Sequence, residues 1–501
     1  MIFRDWLKEL DYTLLQGSVD VETEDVIYDS RKAAPGKVFV AMKGIRVDGH
    51  SFIPQVLKAG VRVLVTERPV EEELKNSGLS EEELKQVTVV MVEEGRHALA
   101  LLSAARFDHP AKKLVMIGVT GTKGKTTTTH MIRAILLAAG KKVGMIGTTG
   151  TVIGDVVTPT LNTTPESYEL HQAFAQMVEA GCEYAVMEVS SQGIKMHRTD
   201  GLYFNYAIFT NISPDHIGPG EHADFEEYLY YKTRLLNMCG IGLVNKDDKH
   251  APQIIKAANC ELYTYSEESK EADFVASDIR YVSQPDFVGT EFHISGKYDM
   301  EVRLGIPGLF NVVNALAAVS VCSFLGLDQA RISHALENIR VNGRMEIVYT
   351  SERCTVLVDY AHNAVSMESL LSTLRDYKPK RLVCVFGCGG NRSKARRYSM
   401  GEIGGKMADL SIITADNSRY EKVEDIIADI RGSIEKTGGK FIEIPDRREA
   451  IRYSILHAQP GDMVAVIGKG HEDYQEINGV RHHFLDREVI EETVKELGEK
   501  A

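Results

Sequence analysis

The chain contains the glycine- and threonine-rich segment Gly118-Val-Thr-Gly-Thr-Lys-Gly-Lys-Thr-Thr-Thr-Thr129. This segment overlaps the end of a strand-like apolar run, residues 113–120, and leads into a helical pattern over residues 129–140. This order is typical of a phosphate-binding loop in a parallel sheet, where backbone N–H groups and a helix N-terminus face the anion. Lys125 can reach the β- and γ-phosphates, and the Thr126 hydroxyl can bind Mg²⁺. The segment predicts a nucleotide-binding α/β domain.

The loop alone leaves several classes of protein open. Val119 stands where the strict motif G-x-x-x-x-G-K-[ST] has its first glycine. A kinase, a GTPase or a structural strand-to-helix turn would also explain this loop. The residues predicted to hold the nucleotide here are Gly121, Thr122, Lys123, Gly124, Lys125, Thr126 and Thr127.

The length and the alternation of strand-like and helical patterns predict three α/β domains. The chain has 501 residues, and a domain usually has about 100–200. We expect a small N-terminal α/β domain over residues 1–110, a doubly wound parallel P-loop sheet over residues 111–340, and a Rossmann-like domain over residues 341–501.

Composition excludes some partners. The net charge of −13 is spread along the chain, which argues against nucleic acid as a partner. The seven scattered cysteines fit free thiols in a reducing compartment. The sequence has neither a leader pattern nor an apolar run of about 18 residues, so we expect a cytoplasmic protein without a membrane span.

Further motifs follow the loop in order and extend over most of the chain. With the loop they resemble the Mur ligase and folylpolyglutamate synthetase superfamily, and the first domain, through Asp29-Ser-Arg31 and Asp48-Gly-His50, resembles the UDP-N-acetylmuramoyl-tripeptide synthetases. These motifs are Met187-Glu-Val-Ser-Ser-Gln-Gly193, Asn211-Ile-Ser-Pro-Asp-His216, Tyr231-Lys-Thr-Arg234, Gly308-Leu-Phe-Asn-Val-Val-Asn314, Gly343-Arg344, Asp359-Tyr-Ala-His-Asn363 and Gly468-Lys-Gly-His-Glu472.

The resemblance implies an ATP-dependent ligase that forms an amide bond through an acyl phosphate, with two Mg²⁺ ions. It implies that Lys125 acts in phosphoryl transfer, and that Lys232 is carbamoylated and so becomes an anionic oxygen ligand. Taken alone, each metal-ligand candidate fits a structural or surface role as well. The implied metal ligands are Thr126, Glu188, His216 and Lys232; the implied nucleotide contacts from later in the chain are Asn311, Arg344, Asp359 and His362.

The resemblance also implies the substrates, a UDP-N-acetylmuramoyl dipeptide and a free diamino acid, and we expect a monomer. Met196 stands where the family often has glutamine. The implied contacts to the UDP-linked peptide are Ser30, Asn162, Thr163, Thr164, Ser190 and Arg198; those to the amino acid are Arg392, Asp416, Asn417, Arg419, Gly468 and Glu472.

The identity of the amino acid rests on two conflicting signals. Asp416-Asn-Ser-Arg419 keeps three residues of the Asp-Asn-Pro-Arg motif of the branch that adds meso-diaminopimelate. Arg419 could hold the distal carboxylate of that amino acid while Glu472 holds its distal ammonium. Residues 190–192 and 211–218 instead resemble the lysine-adding branch. We favour diaminopimelate, because pocket groups discriminate between ligands more strongly than scaffold similarity does, and keep L-lysine as the alternative.

Three other interpretations remain at this stage. Another ligase of the superfamily, such as a folylpolyglutamate synthetase, is disfavoured by the uridine-type first domain and Glu472. A non-catalytic relative is disfavoured because the candidate catalytic residues are intact; these are Lys125, Glu188, His216 and Lys232. A simple P-loop kinase would leave the third domain unexplained.

Overall fold

A computed structural model of the chain describes residues 1–44 and 47–498. They divide into two compact units, Met1–Tyr265 and Ser266–Ala501. Over these described ranges, none of the helices combines the length and the apolar character needed to cross a membrane.

The first unit begins with a small five-stranded sheet and the helices that cover it. Its elements are α1 (Phe3–Trp6), β1 (Thr13–Gln16), β2 (Asp25–Ile27), β3 (Lys37–Val40), α2 (Ile53–Lys58), β4 (Val63–Thr66), α3 (Glu71–Lys75), α4 (Glu81–Leu84), β5 (Thr88–Met91) and α5 (Gly95–Arg106). The strand order is β1-β5-β4-β3-β2. Strands β2 to β5 are parallel and β1 is antiparallel to β5. Their apolar runs are buried on both faces, as parallel strands require.

The rest of the first unit is built on a parallel sheet whose central strand carries the glycine-rich loop. Its elements are β6 (Val115–Thr120), α6 (Lys125–Ala138), β7 (Val143–Gly147), β8 (Gly150–Ile153), β9 (Val156–Thr158), α7 (Ser167–Glu179), β10 (Tyr184–Glu188), α8 (Ser191–Lys195), β11 (Phe204–Phe209), α9 (Phe225–Thr233), β12 (Cys239–Asn245), α10 (Ala251–Ala257) and β13 (Glu261–Ser266). The order is β13-β12-β11-β6-β10-β7-β8-β9, and only β8 and β9 run antiparallel to their neighbours. The carboxyl ends of β6 and β10 therefore lie side by side.

The second unit begins with an antiparallel ladder of three strands and two helices. These are β14 (Phe274–Gln284), β15 (Phe287–Gly296), β16 (Met300–Leu304), α11 (Leu309–Phe324) and α12 (Gln329–Glu337). Helix α11 packs against β14 and β15 and is buried along most of its length.

A six-stranded sheet forms the remainder of the second unit. Its elements are β17 (Glu346–Thr350), β18 (Cys354–Asp359), α13 (Ala364–Asp376), β19 (Arg381–Phe386), α14 (Lys394–Met407), β20 (Leu410–Ile413), α15 (Val423–Thr437), β21 (Phe441–Glu443), α16 (Arg447–Leu456), β22 (Asp462–Ile467), β23 (Tyr474–Ile477), β24 (Val480–His483) and α17 (Asp486–Glu496). The order is β17-β18-β22-β19-β20-β21, with β17 antiparallel and the others parallel; β23 and β24 form a separate hairpin. The predicted α/β class is confirmed, whereas the boundaries at 110/111 and 340/341 stay predictions.

Candidate active site

The loop between β6 and α6 has the shape of a phosphate cradle. Gly121 has φ 147°, and a Cβ there would overlap the hydroxyl of Thr210, so the position requires glycine. Gly124 has φ 86° and precedes the first turn of α6. The Nζ atom of Lys125 lies 2.8 Å from the carbonyl oxygen of Gly121 and 3.2 Å from that of Thr122. The lysine thus folds over the loop, where its charge can meet a bound phosphate.

Glu188 ends β10 beside the loop and is buried. Both of its carboxylate oxygens lie 3.0 Å from the hydroxyl of Thr126. Thr148 donates to the same carboxylate from its backbone N–H at 2.9 Å and from its hydroxyl at 3.2 Å. A carboxylate with hydroxyl groups around it is a set of hard oxygen donors, which fits Mg²⁺.

Lys232, on α9, is buried against the same loop. Its Nζ atom donates to the carbonyl oxygen of Gly121 at 2.7 Å and lies 4.7 Å from the ring centroid of Tyr228. Burial first, and the charge of Lys125 second, hold the pKa of the Lys232 amine well below its ordinary value. The neutral, nucleophilic amine is therefore favoured in this environment.

Tyr228 lies one turn before Lys232 on α9, and the sequence interpretation gave it no role. Its hydroxyl lies 3.1 Å from that of Thr122, and burial raises its pKa to about 12. The i, i+4 spacing from Lys232 is the signal that could have identified it, because such residues share one face of a helix.

His216 lies nearer the solvent than the other predicted metal ligands. Its side chain is 54% exposed, and its Nδ1 atom lies 3.1 Å from a carboxylate oxygen of Glu221. Its ring centroid lies 6.2 Å from that of Tyr228. Glu188 and Lys232 thus touch residues of the loop directly, while His216 is connected to it through the Tyr228 ring.

Four of the predicted peptide-binding residues lie in one network around Glu188. The Thr164 hydroxyl donates to the carbonyl oxygen of Glu188 at 2.9 Å and accepts from the backbone N–H of Ser190 at 2.9 Å. Arg198 donates to the carbonyl oxygen of Thr164 at 3.0 Å. The hydroxyl of Thr163 lies 3.2 Å from that of Thr148, the residue that donates to the Glu188 carboxylate.

Glu166 completes this network and was not predicted. Its carboxylate lies 2.6 Å from the Arg198 guanidinium and 3.4 Å from that of Arg96. Its position in the sequence, two residues after the predicted substrate contact Thr164, could have identified it. Ser30 and Asn162 stand outside the network, because their side chains make no hydrogen bond to the residues that the structure describes.

In the second unit, the predicted amino-acid contacts gather around Asn417. Its side-chain amide donates to Glu472 at 3.0 Å. Lys469, which is fully buried, lies 3.3 Å from Glu472 and 3.4 Å from the amide oxygen of Asn417. Gly468 lies close to Asp416, because a Cβ added at this glycine would be 2.7 Å from the Asp416 carboxylate. Lys469 belongs to the motif Gly468-Lys-Gly-His-Glu472, but the sequence predicted no role for it. In the structure it contacts the side chains of Asn417 and Glu472 and holds them in place.

The two predicted arginines flank a neighbouring loop. Both arginine side chains lie close to Gly389. A Cβ added at this glycine would be 2.9 Å from Nη1 of Arg419 and 3.7 Å from Cγ of Arg392. Arg419 has φ 50° and donates to the carbonyl oxygen of Gly390 at 2.9 Å. Its Nε atom lies 3.4 Å from the carboxylate of Glu476.

The nucleotide candidates of the second unit meet at Tyr360. Its ring centroid lies 4.8 Å from the Arg344 guanidinium and 4.8 Å from the His362 ring, and its hydroxyl lies 3.4 Å from Glu472. Asp359 accepts from the backbone N–H groups of Met345 and Ala361, each at 2.8 Å, and burial raises its pKa.

Asn311 lies apart from this group, on α11. It is buried and its amide donates to the carbonyl oxygen of Pro307 at 2.7 Å. Tyr360, for which the sequence predicted no role, thus contacts two of the four nucleotide candidates of this unit, Arg344 and His362, as well as Glu472.

A buried carboxylate and a buried lysine beside a phosphate-binding loop, on a parallel sheet, define a P-loop nucleotide-dependent enzyme. Three family models match the chain: "Mur ligase family, catalytic domain" over residues 23–107, "Mur ligase middle domain" over residues 119–322, and "Mur ligase, glutamate ligase domain" over residues 343–470.

Relatives of nearly full length match as well. A protein of Caldanaerobacter subterraneus subsp. tengcongensis named UDP-N-acetylmuramoyl-L-alanyl-D-glutamate--2,6-diaminopimelate ligase is 39% identical over 498 residues, 98% of each chain. A Clostridium perfringens protein of the same name is 37% identical over 98% of this chain and 99% of its own. A solved structure of a protein with that name is 30% identical, with a TM-score of 0.72 over 95% of this chain and 96% of that one. The chain belongs to the Mur ligase family, and the predictions of a ligase and of its three-domain fold are confirmed.

Proposed function

We propose that this ligase joins meso-diaminopimelate to the D-glutamyl carboxylate of UDP-N-acetylmuramoyl-L-alanyl-D-glutamate, using ATP, in the synthesis of peptidoglycan precursors. Relatives that match 98% of the chain carry this activity in their names. The observation that carries the proposal is the pocket of the second unit. There Glu472 offers a carboxylate, held by Asn417 and Lys469, and Arg419, two residues after Asn417, offers a guanidinium.

The first chemical step activates the carboxylate. An oxygen of the D-glutamyl carboxylate attacks the γ-phosphorus of ATP, the bond to the β-phosphate oxygen breaks, and an acyl phosphate and ADP result. Lys125, folded over the loop, neutralises charge that develops on the phosphate oxygens. The amine of the diamino acid then attacks the acyl carbon, phosphate leaves, and the nitrogen loses a proton.

The oxygen donors beside the loop fit Mg²⁺ as cofactor. Glu188 and the hydroxyl of Thr126 would hold one ion. His216, nearer the solvent, would be a ligand of a second ion. When bound, the metal supplies positive charge that offsets the phosphates of ATP. Glu188, fixed by Thr126 and Thr148, keeps its carboxylate facing the loop.

Lys232 is proposed to act as its carbamate. Burial lowers the pKa of its amine and so shifts the amine towards the neutral form, and that form attacks CO₂ to give a carbamate and one proton. The product carries two oxygens and keeps one N–H, which can still donate to the carbonyl oxygen of Gly121, as the unmodified amine does at 2.7 Å. A cation thus becomes an anionic oxygen ligand at the edge of the phosphate site.

The UDP-linked peptide is proposed to bind in the first unit. Arg198, held by Glu166, offers a cation for an anionic group of the substrate. Thr164 places its hydroxyl beside the carbonyl group of Glu188, and the Ser190 hydroxyl lies at the start of α8, where it accepts from the backbone N–H of Gly193. Ser30 is proposed to contact the uridine part. Because ATP and UDP-linked precursors are made in the cytoplasm, we place the reaction there.

The choice between diaminopimelate and lysine depends on Arg419. Diaminopimelate has a distal carboxylate that lysine lacks, and Arg419 is suited to bind it through two N–H groups. Its present partner, Glu476, lies 3.4 Å away at Nε, so other N–H groups of the guanidinium stay available for the substrate.

The test is phosphate release from ATP with UDP-N-acetylmuramoyl-L-alanyl-D-glutamate, comparing meso-diaminopimelate, L-lysine and no amino acid. We expect release only with diaminopimelate. Arg419→Ala should raise the KM for diaminopimelate by roughly 10- to 100-fold, because one charge-assisted contact is lost.

Arg431→Ala is the matched control, because Arg431 is also paired with a glutamate but lies on α15 and is partly exposed. Release with lysine instead would keep the ligase reaction and reject the assignment of Arg419. An unchanged KM in Arg419→Ala would reject it as well.

A further inference from the structure

Three side chains of the first unit converge outside the phosphate site. Nδ1 of His97 lies 2.6 Å from Oδ2 of Asp200, and Nδ1 of His197 lies 2.8 Å from the same oxygen. One ligand atom from each of the three lies within 4.8 Å of the others. The two rings meet edge to face, with centroids 6.3 Å apart. The proposed ligase reaction uses none of these side chains.

The cluster joins two parts of the first unit. His97 lies in the first turn of α5, which covers the small N-terminal sheet. His197 and Asp200 follow α8, the helix after β10, and β10 is a strand of the sheet that carries the phosphate loop. His197 has φ 57°, a left-handed conformation that a non-glycine residue adopts only where its surroundings stabilise it.

We propose that His97, His197 and Asp200 bind one divalent transition-metal ion of the Zn²⁺, Co²⁺ and Ni²⁺ class. Two imidazoles and a carboxylate suit these ions, whereas Mg²⁺ and Ca²⁺ prefer oxygen ligands alone. Metal–nitrogen bonds of about 2.0–2.1 Å place tetrahedral ligand atoms roughly 3.3–3.5 Å apart. In the structure, two separations of 2.6 and 2.8 Å and an upper limit of 4.8 Å bracket that spacing.

The surroundings favour a cation. The cluster borders a cavity of about 560 Å³, whose acidic lining includes Glu9, Asp11 and Glu94. The side chains of His97 and His197 are 43% and 39% exposed, so a metal ion can enter and a water molecule can complete its coordination. The ion would tie α5 to the segment that carries Arg198, and would thereby hold that proposed substrate contact in place.

The test is calorimetric titration of the chelator-treated, untagged chain with Zn²⁺ alone and with Co²⁺ alone. We expect one site that Mg²⁺ at the same concentration does not fill. His97→Gln and His197→Gln should each lower the Zn²⁺ affinity of that site by at least about 10-fold. In Co²⁺ titrations, the visible absorption of the bound ion should disappear in the double variant.

His482→Gln with His483→Gln is the matched control, because these two histidines are exposed on β24 in the second unit. It should keep the site at full affinity. Loss of the site in this control, unchanged affinity in the His97 and His197 variants, or no binding to the wild-type chain would each overturn the proposal. His97→Gln, at a partly exposed position, keeps the test valid if the double variant does not fold.

Discussion

At Lys232, burial and the charge of Lys125 favour an uncharged amine beside the phosphate loop. If the carbamate forms there, Lys232→Ala removes an anionic ligand, and phosphate release should fall by roughly 100-fold or more. Short carboxylates such as formate should restore part of the activity by occupying the space of the missing group. Lys256→Ala, at an exposed position on α10, should leave the rate unchanged.

The carbamate itself is directly observable. In buffer containing ¹³C-labelled CO₂, the wild-type chain should give a carbamate ¹³C resonance that Lys232→Ala lacks. Full phosphate release by Lys232→Ala would exclude any role of the carbamate in the reaction, whatever the spectrum shows.

The sequence identified site residues whose role the ordered motifs imply, and it missed residues whose role depends on contacts that the fold creates. Glu188 and Lys232 were predicted from their motifs, and the structure places both against the loop. Tyr228 and Tyr360 were not predicted, although Tyr228 has the i, i+4 spacing from Lys232 and Tyr360 lies inside the motif Asp359-Tyr-Ala-His-Asn363. Their contacts depend on a helix face and on a loop after a strand, which tertiary packing alone brings to the site.

On helix α7, His171 is buried with neither ring nitrogen hydrogen-bonded to a residue that the structure describes. Burial lowers its pKa from the ordinary 6.5 to about 3. Between these pH values the unfolded chain binds a proton that the folded chain does not. Stability should therefore fall as pH drops from 6.5 towards 3, by on the order of 1 kcal/mol per pH unit from this residue.

His171→Leu should flatten this part of the stability curve, because leucine has no proton to bind. The measurement is urea unfolding at several pH values between 6.5 and 4. An exposed histidine, His482, provides the control substitution. The same pH dependence in His171→Leu and in the wild-type chain would reject the explanation.

Helices α16 and α17 are joined by a fully buried ion pair. Arg447 and Asp486 are both 0% exposed, with a closest N–O distance of 2.6 Å, and Arg447 also donates to the carbonyl oxygens of Ala415 and Ile467. Asp486→Ala would leave the guanidinium buried without its counter-charge. We expect a loss of about 3–5 kcal/mol in the free energy of unfolding, measured by urea denaturation.

The same two helices offer a matched control at their surface. Arg452 pairs with Glu496 at 2.7 Å, but Glu496 is exposed to solvent. Arg452→Ala should have no measurable effect on unfolding, since exposed pairs are screened by water. Equal effects of Asp486→Ala and Arg452→Ala would show that burial does not determine the strength of this pair.

At the level of elements, the sequence predicted the buried parallel strands well. The apolar runs at 113–120, 382–386 and 463–467 became β6, β19 and β22 within two residues. It did not predict the hairpins β8–β9 and β23–β24, whose outer strands are short and exposed. A strand buried on both faces reads as an apolar run, whereas an exposed hairpin lacks that pattern.

Over the whole molecule, the proposed functions follow one another along the chain. The residues proposed for phosphoryl transfer and for the UDP-linked peptide lie in Met1–Tyr265, and those proposed for the amino acid lie in Ser266–Ala501. Length and motif order predicted three domains, but sequence patterns do not define how tightly neighbouring domains pack. The exact boundaries therefore stay predictions.

This distribution predicts that the two chemical steps can be separated by substitution. With ATP and the UDP-linked peptide but no diamino acid, hydroxylamine displaces phosphate from the acyl phosphate and gives a hydroxamate. Glu472→Gln removes the charge proposed to hold the distal ammonium but keeps an amide oxygen that can accept from Asn417 or Tyr360. It should therefore form hydroxamate at nearly the wild-type rate while losing diaminopimelate-dependent turnover by roughly 100-fold. Lys232→Ala should lose both reactions. If Glu472→Gln also failed to form hydroxamate, Glu472 would have to act before the acyl phosphate forms, and the pocket would contribute to the first step as well as the second.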